Sequence, residues 1–568
     1  MGCASQRTAV LLLSLACAHP LAGQAVTTAI VQGAVDGEDS LPIPNAVVEL
    51  TNGATGQFWR VETSGAGRYF FATVTVGGPY QVAVRAVGFV PVVRAGIMLN
   101  AGQRYVAYFF LEPTVAVLPE VMVQGTTSPQ ANHGRTGPAQ LISDSALDQL
   151  PNLNREVVDL VLMSPQASRA PFGDIGIGGQ NPRYTTYLVD GGQNTDLYYG
   201  GLVARFGLQR SISPEAVAEV QVLAAPADVR NGDFAGGAVN IVTRSGTNEW
   251  HGSAFGFLQT DALVGTDAAG APPPDNFSIP QFGVTLSGPL VKNRLQVFLN
   301  ADLQRILAPD DGPFVTDATG SADDRIGISY QSIARFDSIL THTYGLEAGG
   351  TGRSDSRQPA SDLFVKLSGQ AGANNQLEFS DHYARTTAQS GPGRAYGYYG
   401  LGSMASEGNV TANALRLAWR GLFGRRWSNE MSLGYLWTQE ENLSVERALI
   451  DVPADSGSMQ ASPWNAGGFR FVLGTNTVEF TDNVTVGLES HVVTFGTHDE
   501  LLQFQDNVFP SSGGFWSFGS LDSLAAGQPR VIVVGLPSGE RVEGPEAPKA
   551  TRGREDVVLE LEQLVVGP

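Results

Sequence analysis

The chain has 568 residues, with 55 Asp and Glu against 35 Lys and Arg and a formal net charge of -20. That balance, without any basic stripe, argues against a nucleic-acid partner, because phosphate binding needs clustered Lys and Arg. Charged residues are only 16% while Gly reaches 68, a composition suited to extended strands and turns rather than to a helical protein. The length leaves room for three or more domains.

Residues 1–25 read as an export signal. Arg7 supplies the positive start, residues 9–18 the apolar stretch, and Ala22-Gly-Gln-Ala25 a small-residue cleavage site. Cys17 does not make this a lipoprotein signal, since Ser14 stands where a lipobox has Leu. The other cysteine is Cys3, so the mature chain has neither disulfides nor thiol chemistry. Beyond the signal no apolar run reaches the ~18 residues of a membrane helix. Any insertion into a membrane must therefore use strands.

Residues 26–113 alternate apolar and polar side chains in short runs such as Ala46-Val-Val-Glu-Leu50 and Tyr80-Gln-Val-Ala-Val-Arg85. Turn pairs at Asp36-Gly37, Asn52-Gly53 and Gly77-Gly78 separate them, which predicts a β-sandwich. The motifs Gly33-x-Val35, Pro42-Ile-Pro-Asn-Ala46, Thr63-Ser-Gly-Ala-Gly67-Arg-Tyr-Phe70 and Tyr80-x-Val-x-Val84 followed by Gly88-Phe89 carry a resemblance. The segment resembles the carboxypeptidase regulatory-like family, which implies an Ig-like fold grouped with carbohydrate-binding folds. It implies no peptidase, because zinc needs His and carboxylate ligands at fixed spacing and no His lies between His19 and His133. A spacer or docking module is the simpler reading of the segment than a sugar site.

Residues 114–127 form a linker holding the β-prone run Leu118, Pro119, Glu120, Val121, Met122 and Val123. Such a run suits pairing with another protein's sheet edge. It looks like a TonB box, which implies the TonB-ExbB-ExbD energy-transducing complex as partner.

Residues 128–246 read as a mixed α/β domain. Val157, Val158, Val161 and Leu162 fall at helical spacing within residues 154–163, and Pro214 stands near the start of a turn feeding a strand. The loop Gly173-Asp-Ile-Gly-Ile-Gly-Gly179 lacks dinucleotide-fingerprint spacing and has no strand leading into it. The order of Arg183-Tyr184, Leu188-Val-Asp190-Gly191, Asn194, Pro214-Glu-Ala-Val-Ala-Glu-Val220 and Gly236-Gly237-Ala-Val-Asn240-Ile-Val-Thr-Arg244 resembles the plug domain of TonB-dependent outer-membrane receptors. The resemblance implies an arginine-aromatic strand at Arg183 and Tyr184, then a turn at Asp190-Gly191.

Residues 247–568 alternate over long runs. Leu295, Val297, Leu299 and Ala301 oppose Gln296, Asn300 and Asp302, while Leu415, Leu417 and Trp419 oppose Arg416 and Arg420. Met431, Leu433, Tyr435 and Trp437 make a third apolar face. A transmembrane barrel needs this dyad, with aromatics such as Trp419, Trp427 and Trp437 near its interfaces. Gly288-Pro-Leu-Val-Lys-Asn-Arg294 reads as a tight turn, and residues 308–325 and 345–361 as extracellular loops. The acidic side chains Asp310, Asp311, Asp317, Asp323 and Asp324 lack the spacing of a calcium loop, so no metal is expected there. Together with the sandwich and plug, residues 476–484 and 491–497 are similar to the barrels of Oar-like receptors.

The chain departs from that family in length. After Trp250 there is room for ~10 to 12 strands, against about 22 in the family. Residues from about 529 to 568 lose the alternation and end without an aromatic residue, so a truncated or split receptor is expected. The expected fold is mainly β: an Ig-like sandwich, an α/β plug and a partial transmembrane antiparallel barrel. The resemblance implies uptake of an oligosaccharide, peptide or metal chelate, with outer-membrane lipid and an extracellular ligand as partners and no cofactor. The alternative is a surface adhesion protein binding carbohydrate through the sandwich. Enzyme chemistry is not expected, because the histidines are scattered and no H-E-x-x-H or G-x-S-x-G motif occurs.

Overall fold

The computed structural model describes residues 26–114, 122–125, 139–143, 146, 155–170, 175–196, 212–225, 228–232, 236–266, 277–309, 327–352, 355–395, 397–442, 449–454, 457–462, 471–488, 491–507 and 515–533. The signal, Leu118, Pro119, Glu120, Val121, the acidic cluster from Asp310 to Asp324 and residues 534–568 lie outside them.

The first domain is a two-sheet sandwich. Its strands are β1 (Thr28–Gly37), β2 (Val47–Asn52), β3 (Phe58–Glu62), β4 (Arg68–Thr75), β5 (Gly77–Arg85), β6 (Val92–Leu99) and β7 (Arg104–Leu111). One sheet has the order β4-β1-β7, with β1 antiparallel to β4 and parallel to β7. The second runs β3-β2-β5-β6 and ends on β8 (Met122–Gly125), parallel to β6. Trp59, Tyr80, Phe71, Phe109, Leu50, Leu99 and Leu111 fill the space between the sheets. Tyr69 donates its hydroxyl to the Ala107 carbonyl at 2.8 Å and Tyr80 donates to the Thr75 carbonyl at 2.8 Å, so both buried phenols keep a partner. The motif glycines have steric causes. A Cβ on Gly33 would stand 1.7 Å from the Ala107 oxygen, and Gly67 has φ of 69° with a Cβ site 2.6 Å from the Val35 oxygen. Met122 and Val123 pair in parallel with β6, which would otherwise be an unpaired sheet edge.

The second domain contains β9 (Ala139–Ser143), α1 (Val157–Val161), the hairpin β10 (Ala167–Arg169) and β11 (Ile175–Ile177), then β12 (Thr186–Val189), β13 (Gly192–Gln193), β14 (Val217–Leu223) and β15 (Ala238–Thr243). Its five-stranded sheet has the order β13-β12-β15-β14-β9, with β12 and β15 parallel. Helix α1 is shorter than the helical spacing predicts. Glu156 makes no side-chain cap, and Pro165 disfavours helical geometry at Ser164. Pro214 opens a 3-10 turn over Pro214–Ala216 that runs into β14, as predicted. Arg183 and Tyr184 do not form the strand that the resemblance implies. They sit in a 3-10 turn, Pro182–Tyr184, because Pro182 fixes φ at its start and Asn181 accepts the Arg183 amide at 3.0 Å.

The wall follows as β16 (His251–Thr260), β17 (Ser278–Val291), β18 (Leu295–Pro309), helix α2 (Tyr330–Ser338), β19 (Asp355–Gln370) and β20 (Asn375–Ser390). It continues, past β21 (Arg394–Ala395) and β22 (Tyr398–Gly400), with β23 (Ser406–Phe423) and β24 (Trp427–Asn442). After β25 (Leu449–Ala454) and β26 (Gly457–Ala461) come β27 (Phe471–Gly487) and β28 (Val492–Asn507). Nine of these make one antiparallel sheet, β16-β17-β18-β19-β20-β23-β24-β27-β28. Three-residue turns such as Lys292-Asn293-Arg294 and Gly424-Arg425-Arg426 close its hairpins at one end.

Burial in this sheet is the reverse of that in a soluble sandwich. Leu417, Leu433, Phe282 and Phe495 are 49%, 49%, 55% and 55% exposed, whereas Asp302, Asp362, Lys366, Arg420 and Glu479 are buried. An apolar outer face with a polar inner face is the arrangement lipid demands of a barrel wall.

The opposite end is more structured than loops of polar composition predict. β21, β22, β25 and β26 join β29 (Phe515–Phe518) and β30 (Pro529–Val533) in a six-stranded sheet ordered β21-β22-β26-β25-β29-β30. Helix α2 and α3 (Leu521–Ala525) pack on it around Phe336, Leu340, Tyr399, Leu401, Val452, Met459 and Leu524. The expected loop at 345–361 is also shorter, since β19 starts at Asp355 and extends the ladder with β18 to Pro309.

Two predictions follow from the sandwich. Gly33→Ala should cost about 3 kcal/mol or more by overpacking, read as faster amide exchange in β1 and β7; unchanged protection would refute the close approach. Burial pushes the Tyr80 hydroxyl from its ordinary 10.0 up to about 12. A folded value above the unfolded one means that the stability it contributes is intact below pH 10 and is lost as pH rises through 12. Urea unfolding at successive pH values should show that decline, made shallower by Tyr80→Phe.

Candidate functional site

The second domain lies against the inner face of the wall. Its apolar core, centred on Tyr187, Val220, Val222, Val239 and Ile241, is completed by Phe298 of β18 and Phe364 of β19. Around that apolar contact the two bodies are joined by buried polar groups, which must find partners because the inner wall is charged.

Asp190 is the most connected of these groups. It ends β12 with φ of 49°, a left-handed conformation in which Asp and Asn are the better tolerated non-glycine residues, and Gly191 follows at 80°. The turn aims the carboxylate at the neighbouring strand end and at the wall. Oδ1 accepts the Thr243 amide at 2.9 Å, and Oδ2 accepts the Thr243 hydroxyl at 2.5 Å and Lys366 Nζ at 3.1 Å. Lys366 Nζ also donates to Thr243 Oγ1 at 3.0 Å. The side chains of Lys366 and Asp190 are only 5% and 10% exposed, so each charge depends on the other for compensation.

Two further contacts tie the same domain to the wall. Ser213, beside Pro214, donates its hydroxyl to Asp302 Oδ2 at 3.0 Å; Gln281 donates to the same oxygen at 2.9 Å. The Gln193 amide donates to Glu479 Oε2 at 3.0 Å. A Cβ on Gly192 would stand 2.4 Å from Arg416 Nη1, so the turn after Asp190 approaches the wall with no side chain between. His498 lies between two carboxylates, with Nδ1 3.6 Å from Glu479 Oε1 and Nε2 3.0 Å from Glu500 Oε1. Nδ1 also meets the Thr481 hydroxyl, at 2.9 Å.

The sequence-predicted residues divide between two ends of the domain. Tyr184 accepts the Gly236 amide on its carbonyl at 2.8 Å, and a Cβ on Gly237 would meet Ile177 Cγ2 at 2.5 Å, so Arg183, Tyr184, Gly236 and Gly237 cluster where β12 and β15 begin. Asp190, Gly191 and Arg244 gather at the other end, while Asn194 lies back along the hairpin opposite Tyr187. The buried Asn194 donates its amide to the Tyr187 carbonyl at 2.9 Å, and Arg244 Nε donates to the Val217 carbonyl at 3.0 Å. Asn240 lies mid-strand, fully buried, and donates to Gln221 Oε1 at 3.2 Å. Within the same domain burial pushes Asp228 upward, but its two-oxygen contact with Arg230 prevails and holds it below the ordinary carboxylate value.

The wall partners Lys366, Asp302 and Glu479 are absent from the sequence-predicted set. One signal was present: Asp362 and Lys366 are charged residues on the same face of an alternating strand, spaced by four. A cavity of about 900 Å³ opens between sandwich, second domain and wall, with Asp190, Arg244, Lys366, Glu378 and Arg420 among its lining.

Comparison with known proteins supports this architecture piece by piece. The carboxypeptidase regulatory-like domain family matches residues 30–112, and an outer membrane beta barrel domain family matches residues 242–361. The TonB-dependent transporter Oar of Myxococcus xanthus is 25% identical over 296 residues, covering 48% of this chain and 26% of Oar. The ferrienterobactin receptor of Escherichia coli K12 is 28% identical over 204 residues, 34% of this chain and 26% of the receptor. The siderophore receptor PirA of Acinetobacter baumannii, described as probable, is 31% identical over 161 residues, 27% of this chain and 20% of its own length. Among solved structures the outer membrane transporter YddB of Escherichia coli overlays with a TM-score of 0.47 at 10% identity, covering 67% of this chain and 50% of its own. The matched stretch thus spans 26% or less of each of these curated relatives. With its two matched domains in that order and three such relatives, the chain is similar to the TonB-dependent receptors of the outer membrane and carries a carboxypeptidase regulatory-like domain over residues 30–112.

Proposed function

We propose that the chain serves TonB-dependent uptake across the outer membrane, with the domain of residues 128–246 acting as the plug. The observation that carries the reading is the seam between that domain and the wall: a small apolar contact at Phe298 and Phe364, bordered by discrete buried polar contacts. Such a seam holds the domain in one position yet breaks at a few points. Each polar group, once released, is hydrated if water follows it into the lumen.

Under this reading the TonB protein, driven by ExbB and ExbD, takes hold of the run Leu118 to Val123 and pulls. The load passes through the linker to β9, an outermost strand of the plug sheet, and then to the rest of that sheet. Asp190 and Lys366 are positioning residues in this scheme. Arg183, Tyr184, Gly236 and Gly237 shape the end of the plug remote from them, and Asn240 ties β15 to β14. The work is transport and involves no catalytic residue. Two of the relatives are named for siderophores, and that favours a ferric siderophore over the oligosaccharide and peptide alternatives.

Val121→Pro should abolish uptake of a ferric siderophore by cells expressing the protein while leaving its outer-membrane level unchanged, since a proline removes a donor from the pairing strand. Undiminished uptake would defeat the reading. Lys366→Met strands Asp190 as a buried uncompensated charge, at a cost of about 3–5 kcal/mol. Amide exchange at Thr243 should accelerate, and the double variant Asp190→Asn with Lys366→Met should recover most of the protection. Equal exchange in single and double variants would show that the two side chains are not coupled.

A further inference from the structure

Against a net charge of -20, one cleft of the molecule is basic. It lies where the sandwich meets the short turns of the wall, encloses about 160 Å³, and brings together Arg68, Arg104, Arg425, Arg426 and His491. Among the described residues its lining holds no Asp or Glu. Arg68 and Arg104 come from β4 and β7 of one sandwich sheet; Arg425 and Arg426 form the turn between β23 and β24; His491 precedes β28. Arg425 is committed to Glu62 at 2.6 Å and to Asn45 at 2.8 Å, which fixes the turn against the sandwich and leaves Arg104 and Arg426 as the groups available to a ligand.

Position supplies the second observation. The Arg425-Arg426 turn is flanked by Phe423 and Trp427, paired across the hairpin and 48% and 50% exposed on the outer face. Exposed aromatic rings of this kind settle at the level of lipid headgroups. The cleft therefore stands beside the membrane surface, at the end of the wall that carries the sandwich. Guanidinium groups recognise phosphate through paired N–H donors, and a cavity of this size suits a single phosphate group rather than a sugar or a peptide.

We propose that this cleft is a binding site for a phosphate group, supplied by the headgroup of an anionic glycerophospholipid in the leaflet facing the sandwich. Its occupation ties sandwich, wall and membrane together at one point. The site rests on the outer-membrane location of the chain but is independent of the transport reading, so failure of uptake leaves it standing.

The test uses the full chain in nanodiscs of phosphatidylcholine with and without phosphatidylglycerol, and reads lipid retained on the protein by native mass spectrometry. Phosphatidylglycerol should be retained in preference to phosphatidylcholine, and the variant R104Q/R426Q should lower that retention about tenfold. R104K/R426K, which keeps the charge but loses the paired donors, should fall between them. R60Q removes one charge from the same domain outside the cleft and should leave retention unchanged. Equal retention of both lipids by the wild type, or a loss in R60Q as large as in R104Q/R426Q, would overturn the site. Inorganic phosphate retained in place of lipid, with no preference for phosphatidylglycerol, would overturn the lipid source. Circular dichroism of R104K/R426K guards against misfolding in the glutamine variant.

Discussion

The constraint on which the rest depends is the reversed burial of the nine-stranded sheet. Lipid outside requires an apolar outer face, so the polar halves of the alternating strands all point inward. Asp302, Asp362, Lys366, Glu378, Arg420, Glu430 and Glu479 then stand together on a surface that must be hydrated or paired. Part of the pairing is internal, as when Arg420 bridges Glu378 at 2.5 Å and Glu430 at 2.9 Å. The remainder determines where the plug can sit, because Asp190, Ser213 and the Gln193 amide are placed to meet Lys366, Asp302 and Glu479.

The same end of the wall also explains the seat of the sandwich. Its contacts are with the short turns: Asn374 accepts the Arg60 amide at 2.9 Å and donates to its carbonyl at 3.1 Å, Gln370 donates to the Phe58 carbonyl at 3.0 Å, and Leu422 enters the sandwich core. Side-chain amides thus pair with the backbone of β3, an edge strand that would otherwise present free groups. A β-sandwich followed by a plug does not by itself require this. The match of Asn374 and Gln370 to one strand makes the docking specific.

Sequence reading went far where local chemistry decides. The sandwich was legible from turn pairs and period-two runs, and the barrel from apolar faces such as Leu417 with Trp419 opposing Arg416 and Arg420. The helical turn at Pro214 was legible because proline leaves a local signature, and the Asp190-Gly191 turn because the family resemblance implied it. Reading failed where partners are distant in the chain. The six-stranded sheet at the loop end is assembled from three separate segments, with β22 parallel to β26 and β25 parallel to β29, so no single segment carries its pattern. Lys366 escaped for the same reason: 176 residues separate it from Asp190, and as one polar residue in an alternating strand it looks like any other inward side chain.

The placement of the plug's two ends gives the transport reading its mechanical content. Its exit is fixed, since a Cβ on Gly246 would stand 2.4 Å from the Val297 oxygen and the chain passes there directly into the wall. Asp190 and Arg244 lie at that fixed end, and the Thr243 contact couples them to Lys366. The entry strand β9 lies at the far edge of the sheet with β14 as its ladder partner, beginning at the pair of Ala139 with Leu223. A pull arriving from the linker loads that edge ladder first, where each step breaks backbone bonds that water can replace. The buried Asp190–Lys366 pair lies two strands further in and is loaded last, and its loss is the costly one. Under the proposed transport reading, such an arrangement would yield partial opening at low force with the plug still anchored to the wall, and the path for a ligand would open along β9 and β14 rather than by expulsion of the whole domain.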